Sequence, residues 1–203
     1  MPRMNLTTCL LNACRSALIG AAGAGPIAAV AAPVAYALDP SHSFVTFEVL
    51  HFDTATLRGR VGPLSGEVML DREAGLGRVQ LVIDLARVST GVPVLDARLR
   101  EPDMLASAVT PQAFFVAEQL RFDSGGGVAT VRGEFTLRGV GQPLQLTAQR
   151  FRCYTSPLLR REVCGGDFEA EFSRSSFGIT HSLLFVADTV RLKIQVEAIR
   201  QSP

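Results

Sequence analysis

The sequence predicts an all-β protein, an extended antiparallel β-barrel of about eight strands with one short helical insertion. Three observations carry that expectation. From Ser43 to Ala198, apolar and polar residues alternate over short stretches, the period of half-buried strands. Each stretch is apolar on one face only, and Gly-containing turns separate one from the next, as in an antiparallel meander. A single interruption after Val92 has helical spacing instead. A sheet with one apolar face must bury it, and closing the sheet on itself does so while removing its edges. A barrel of about eight strands has an interior either filled by side chains or holding one small ligand. A two-sheet sandwich is the second expectation.

Residues 1–35 are read as a secretory signal peptide and residues 36–203 as the barrel domain. Arg3 gives a positive start, residues 16–35 are a weakly apolar Ala/Gly run, and small-residue cleavage sites lie at Ala29-Val30-Ala31 and Ala35-Tyr36-Ala37, with the small residues ending at Ala35 a third option. Gly23, Gly25, Pro26 and Pro33 make this run a poor spanning helix. The expected location is therefore the periplasm. Cys9 and Cys14 leave with the leader. Cys153 and Cys164 remain, and an even pair in an exported chain is expected to form a disulfide. The whole chain has 20 basic and 19 acidic residues; removing Arg3 and Arg15 leaves 18 against 19, a net charge of −1. That balance does not suggest a nucleic-acid partner.

The strands follow in order. Leu38-Asp39-Pro40 reads as a turn. Beyond it Val45, Phe47 and Val49 share one face, with His51 a polar group at the end of that apolar stripe. Leu64, Val68 and Leu70 share the next face, then Val79, Leu81, Ile83 and Leu85. Leu95 and Leu99, an i,i+4 pair, predict a helix from about Val94 to Arg100, with Pro102 ending it and Met104 and Leu105 beyond. The residues after Pro111 return to strand. Val131, Phe135 and Leu137 alternate with polar residues. In the following strand Leu144 and Leu146 have one parity but Phe151 and Cys153 the other, which calls for a bulge near Ala148. Phe168, Ala170 and Phe172 form an inward series, and Val190, Leu192, Ile194 and Val196 the last and cleanest one.

Few residues could carry chemistry. The three His, His42, His51 and His181, have no metal spacing, and there is no G-x-S-x-G elbow, phosphate loop or dinucleotide fingerprint. No cofactor, metal or catalytic residue is expected. Ser89, Thr90 and Asp96 read as helix entry and capping. Arg174 continues the inward series of Phe168, Ala170 and Phe172. A guanidinium in an apolar barrel is costly unless paired, so it calls for an Asp partner or for an anionic or polar lipid headgroup. The twelve Phe and the absence of Trp supply apolar lining without polar handles.

Four segments together resemble the YceI-like family of secreted, lipocalin-like polyisoprenoid-binding proteins. They are Tyr36-x-x-Asp39 with His42-Ser43; Val88-Ser89-Thr90-Gly91 leading to Asp96-Ala97-Arg98-Leu99; Gly133-Glu134-Phe135-Thr136-Leu137-Arg138-Gly139-Val140; and Arg174-Ser175-Ser176-Phe177-Gly178-Ile179. They occur in the expected order and span essentially all of 36–200. Leu95 departs from the family pattern, which often has Arg there, and the loop from Cys153 to Cys164 is an elaboration.

The resemblance implies a long apolar tunnel holding an isoprenoid lipid of polyprenyl or isoprenoid quinone type, and no enzymatic activity. The residues expected to bind the ligand are Phe47, Val49, His51, Leu99, Met104, Phe135, Leu137, Phe168, Ala170, Phe172 and Arg174. Transient membrane contact for lipid exchange and homodimer formation are further expectations. The alternatives are a hydrolase or isomerase acting on a lipid through His51 or His181, a binder of fatty acids or amides, and a structural protein with a filled barrel.

Overall fold

Two short alternating runs open the fold, β1 (Val34–Leu38) and β2 (Phe44–His51). Asp39 builds the corner between them: its carboxylate accepts the Ser41 amide at 2.9 Å and meets His42 Nδ1 at 2.8 Å. The computed structural model describes residues 32–202, so most of the expected leader lies outside the described residues. The remaining strands are β3 (Ala55–Val61), β4 (Leu64–Asp71), β5 (Leu76–Asp84), β6 (Gln112–Phe122), β7 (Val128–Leu137), β8 (Val140–Thr155), β9 (Glu162–Ser173) and β10 (Val186–Arg200).

All strand pairings are antiparallel, and the sheet closes in the order β1-β4-β5-β6-β7-β8-β9-β10 with β10 returning to β1. Ala198 of β10 lies opposite Leu38 of β1, while Ile194 and Val190 lie opposite Val45 and Val49 of β2. Thus β1 and β2 share one edge of β10 and together act as one bent strand. β3 and β4, joined at the Gly62-Pro63 corner, do the same one position further round. Ten strand segments therefore occupy eight positions in the wall, which is the barrel of about eight strands that the alternation predicts. Two segments were not foreseen. β1 includes Tyr36, which is 1% exposed, and it begins at Val34, inside the stretch assigned to the leader. β3 lies where the sequence shows only Gly59 and Gly62 ahead of β4 and no strong apolar stripe.

Other local features follow the sequence closely. The register of β8 against β9 shifts between Ala148 and Arg150, the bulge that the parity change requires. Cys153 and Cys164 lie directly opposite each other beyond it and are bonded, with an S–S distance of 2.04 Å. At Gly66 (φ 142°) an added Cβ would run into the Gln80 carbonyl, so the close approach of β4 to β5 needs glycine.

The connection from β5 to β6 holds a 3-10 turn, Leu85–Arg87, and the helix α1, Pro93–Leu99. Asp96 of α1 accepts the Thr90 amide at 2.6 Å and the Thr90 hydroxyl at 2.7 Å, so the polar group at the helix entry ties the preceding loop to the first turn; it does not cap the helix, whose N-cap, Val92, has no side-chain cap bond. Arg100 donates to the Ala86 and Val88 carbonyls, both at 2.9 Å, and fastens the helix to the preceding turn.

Candidate functional site

Inward-facing residues from all eight wall positions enclose an apolar cavity at the end of the barrel where α1 lies. Its volume is about 160 Å³. Phe47 and Val49 of β2, Phe135 and Leu137 of β7, and Phe172 of β9 line it, as expected. Leu99 of α1, with Met104 and Leu105 beyond the helix, lines the same cavity. On one side Phe135 and Phe172 line it and pack against the buried Phe177 behind them, with ring centroids 5.2–5.6 Å apart.

Arg174 is the only ionisable side chain among the described residues lining this cavity, and it is 4% exposed. It begins a 3-10 turn, Arg174–Phe177. The inward direction matches the expectation; the partner does not. Its guanidinium donates to the carbonyls of Ala187 at 2.9 Å, Ile179 at 3.0 Å, and His181 and Val186 at 2.8 Å. Burial pushes its pKa down, opposed by the charge of Asp188. Asp188 accepts the Ser175 amide at 2.8 Å and the Ser175 hydroxyl at 2.7 Å. Backbone carbonyls thus take the place of the expected Asp partner, while the guanidinium stays in the cavity lining.

The insertion is tied across the barrel end. Asp103 receives a two-pronged pair from Arg98, both contacts at 2.6 Å, and lies 3.3 Å from His181 Nδ1. The Arg98 guanidinium holds the Asp103 carboxyl well down, at about 2. Arg138, in the turn between β7 and β8, donates to the Gly178 carbonyl at 2.7 Å and the Pro102 carbonyl at 2.9 Å.

A second apolar cavity, about 60 Å³, lies toward the other end. Tyr36, Leu70, Val131 and Phe168 line it, so Phe168 belongs here and not with Phe172. Leu81 borders both cavities. Ala170, between Phe168 and Phe172 on the same face of β9, borders neither and is 7% exposed; it is packed core. His51 is exposed at the tip of β2, edge-on to the Phe52 ring, outside both linings. His181 is exposed and also outside them. Sequence reasoning named no lining residue from β3 to β6, although Val61, Leu64, Leu81, Ile83 and Phe115 all contribute. Their period-2 parity carried the signal.

The fold and the site define the class: a closed antiparallel barrel around an apolar interior, capped at one end by a helical insertion. The family model of the YceI-like domain matches residues 36–198. The chain belongs to the YceI-like family. A UPF0312 protein of Shewanella baltica (strain OS185) is 28% identical over 187 residues, covering 92% of this chain and 97% of the relative. BcnA of Burkholderia cenocepacia has a similar fold (TM-score 0.63, 21% identity, 79% of this chain and 98% of that one). So does a polyisoprenoid binding domain from Saccharophagus degradans (TM-score 0.60, 21% identity, 83% and 99%).

Proposed function

We propose that this protein binds a long isoprenoid lipid, of polyprenyl or isoprenoid quinone type, inside the barrel and carries it through the periplasm. The observation that carries this reading is the larger cavity. Eight wall positions and the insertion all turn apolar side chains toward it, and its one charged group is engaged by backbone carbonyls. Such a space offers a ligand shape and apolar contact, with a single charge at Arg174. The second cavity beyond Leu81 extends the apolar interior along the barrel, which favours an elongated chain over a compact ligand. Leu99, Met104 and Leu105 belong to the insertion and not to the sheet. They form the wall that can move aside without breaking a strand pairing, and Met adapts readily to irregular ligands. The polyisoprenoid binding domain from Saccharophagus degradans shares the fold and supports the same ligand class.

The enzyme reading is weaker, because His51 and His181 both stand outside the cavities. Export through a leader cleaved after Ala31 is part of the proposal. Cleavage there leaves β1 whole, whereas cleavage after Ala37 would remove Val34 and the buried Tyr36 from the barrel.

Purified protein is extracted with organic solvent and the extract analysed by mass spectrometry, alongside native mass spectrometry of the intact protein. A bound isoprenoid lipid is expected. A protein that carries none and takes up none when offered isoprenoid quinone or prenyl phosphate refutes the carrier reading. The intact mass of the exported chain tests the processing: a chain that begins at Met1, Tyr36 or Leu38 overturns cleavage after Ala31.

A further inference from the structure

We propose that the tip of the β2–β3 hairpin and the loop before β10 together form a docking surface for a phospholipid bilayer. Two loop tips meet at the barrel end that holds the larger cavity. Phe52 stacks on Phe185 with ring centroids 5.0 Å apart, and the Phe52 amide donates to the Phe185 carbonyl at 2.7 Å. Around that stack Leu50, Phe52, Leu183, Leu184 and Phe185 are 39, 56, 40, 92 and 52% exposed. Val186 lies opposite His51 and Val190 opposite Val49, and Val49 and Val190 line the cavity. The strands that carry these apolar tips therefore also wall the larger cavity.

The tips are held in place. Arg174 grips the loop through carbonyls on both sides of Leu183–Phe185, at Ile179 and His181 and at Val186 and Ala187. Phe52, Asp53 and Ser182 have φ of 50°, 51° and 55°. An aromatic residue in that region is strained, and strain of this kind persists only where the surrounding contacts impose it. Here it turns a large apolar side chain toward solvent.

Area separates a bilayer from a second copy of the chain. With side chains of roughly 150–200 Å² each, these exposures amount to about 500 Å². That is well under the roughly 800 Å² per partner that a stable protein interface buries. Two protruding tips suit insertion into the headgroup boundary, where apolar side chains give binding in proportion to buried area. Charge indicates the kind of lipid. Arg58 beside the hairpin is paired with Glu48 at 2.8 Å, and His181 is beside Asp103 at 3.3 Å, so the tips carry no cationic cluster. The surface therefore fits a zwitterionic bilayer, with attachment insensitive to salt. The physiological purpose of this docking, exchange of cargo, rests on the carrier reading; the docking itself does not.

The test is flotation of the mature protein with phosphatidylcholine vesicles at low salt and in 0.5 M salt, about the level at which charge contacts are screened out. The wild type is expected to float in both. L184S/F185S is expected to float at least tenfold less while staying folded and keeping its extractable lipid, because Leu184 is almost fully exposed and Phe185 stacks only on the exposed Phe52 ring outside the cavity. A second variant, F52S, removes the stacking partner and is expected to weaken flotation as well. A wild type that stays with the soluble fraction overturns the proposal, as does a double variant that floats equally well. So does a wild-type dimer that the double variant turns into monomer without any vesicle binding. Flotation in a protein that carries no extractable lipid and takes up none when offered isoprenoid quinone or prenyl phosphate supports the docking surface and refutes the carrier reading instead.

Discussion

Four backbone carbonyls converge on the Arg174 guanidinium, so the loop from Ile179 to Ala187 depends on one side chain. Lys at this position would keep the charge but could not span four acceptors with one ammonium. We expect Arg174→Lys to lose roughly 3 kcal/mol, a fall in Tm of about 6–12 °C in a thermal melt. An unchanged Tm would contradict this role. Parity alone placed Arg174 inside. Its partners were not legible, because a carbonyl has no residue-type signature and the loop carrying them had no regular pattern. Tyr36 makes a second prediction. Burial, then its hydrogen bond to Glu162 at 2.8 Å, pushes the phenol up to about 12. An unfolded tyrosine ionises near about 10, so the unfolded chain loses its proton first. The stability held in the neutral phenol is complete below that value, about 2–3 kcal/mol, and drains as the pH rises toward 12. Melts of wild type and Tyr36→Phe between neutral and strongly alkaline pH should show a steeper decline in the wild type; parallel curves would contradict the assignment.

Among the elements, β8 and β9 are the pair most open to test. Their bulge lets Phe151 and Cys153 change face, and Cys153 then meets Cys164 directly across the ladder. A bridge between residues 11 apart limits the unfolded chain, and replacing both Cys with Ser should cost about 3 kcal/mol. Thiol labelling of the unreduced, denatured protein should find neither cysteine free. On β9, Ala170 fills packed core between two cavities, so Ala170→Trp is expected to overpack the interior by roughly 1–3 kcal/mol. Loss of lipid with an unchanged Tm would instead place the ligand against Ala170. The strands with long clean alternation, β5, β7 and β10, were legible from the sequence. β1 was not, because Val34–Leu38 is too short to show a period and adjoins an Ala-rich run. β3 was not, because Thr56, Arg58 and Arg60 alternate with only Leu57, Gly59 and Val61, a weak apolar stripe whose meaning depends on the Phe47 ring covering Gly59.

For the whole molecule, the question is how far the apolar interior runs. Leu81 borders both cavities and stands between them. Shortening it to Ala should join the two, at a stability cost of about 2–5 kcal/mol. Given a mixture of polyprenyl chains, Leu81→Ala is expected to retain longer ones than the wild type, read by mass spectrometry of the extracts; the same length distribution would show that the second cavity takes no ligand. By itself the sequence determined the β class, the inward face of most strands, the bulge in β8, the pairing of Cys153 with Cys164 and the apolar character of the interior. Each of these follows from period, parity or composition, which are local properties of the chain. The tertiary structure alone decided that ten segments share eight positions, that Phe168 and Phe172 face different cavities, that Arg174 binds carbonyls and that His51 stands outside. Those outcomes depend on strand stagger and on which loops meet at a barrel end, and both arise only when β10 closes against β1 and β2 and brings distant residues together.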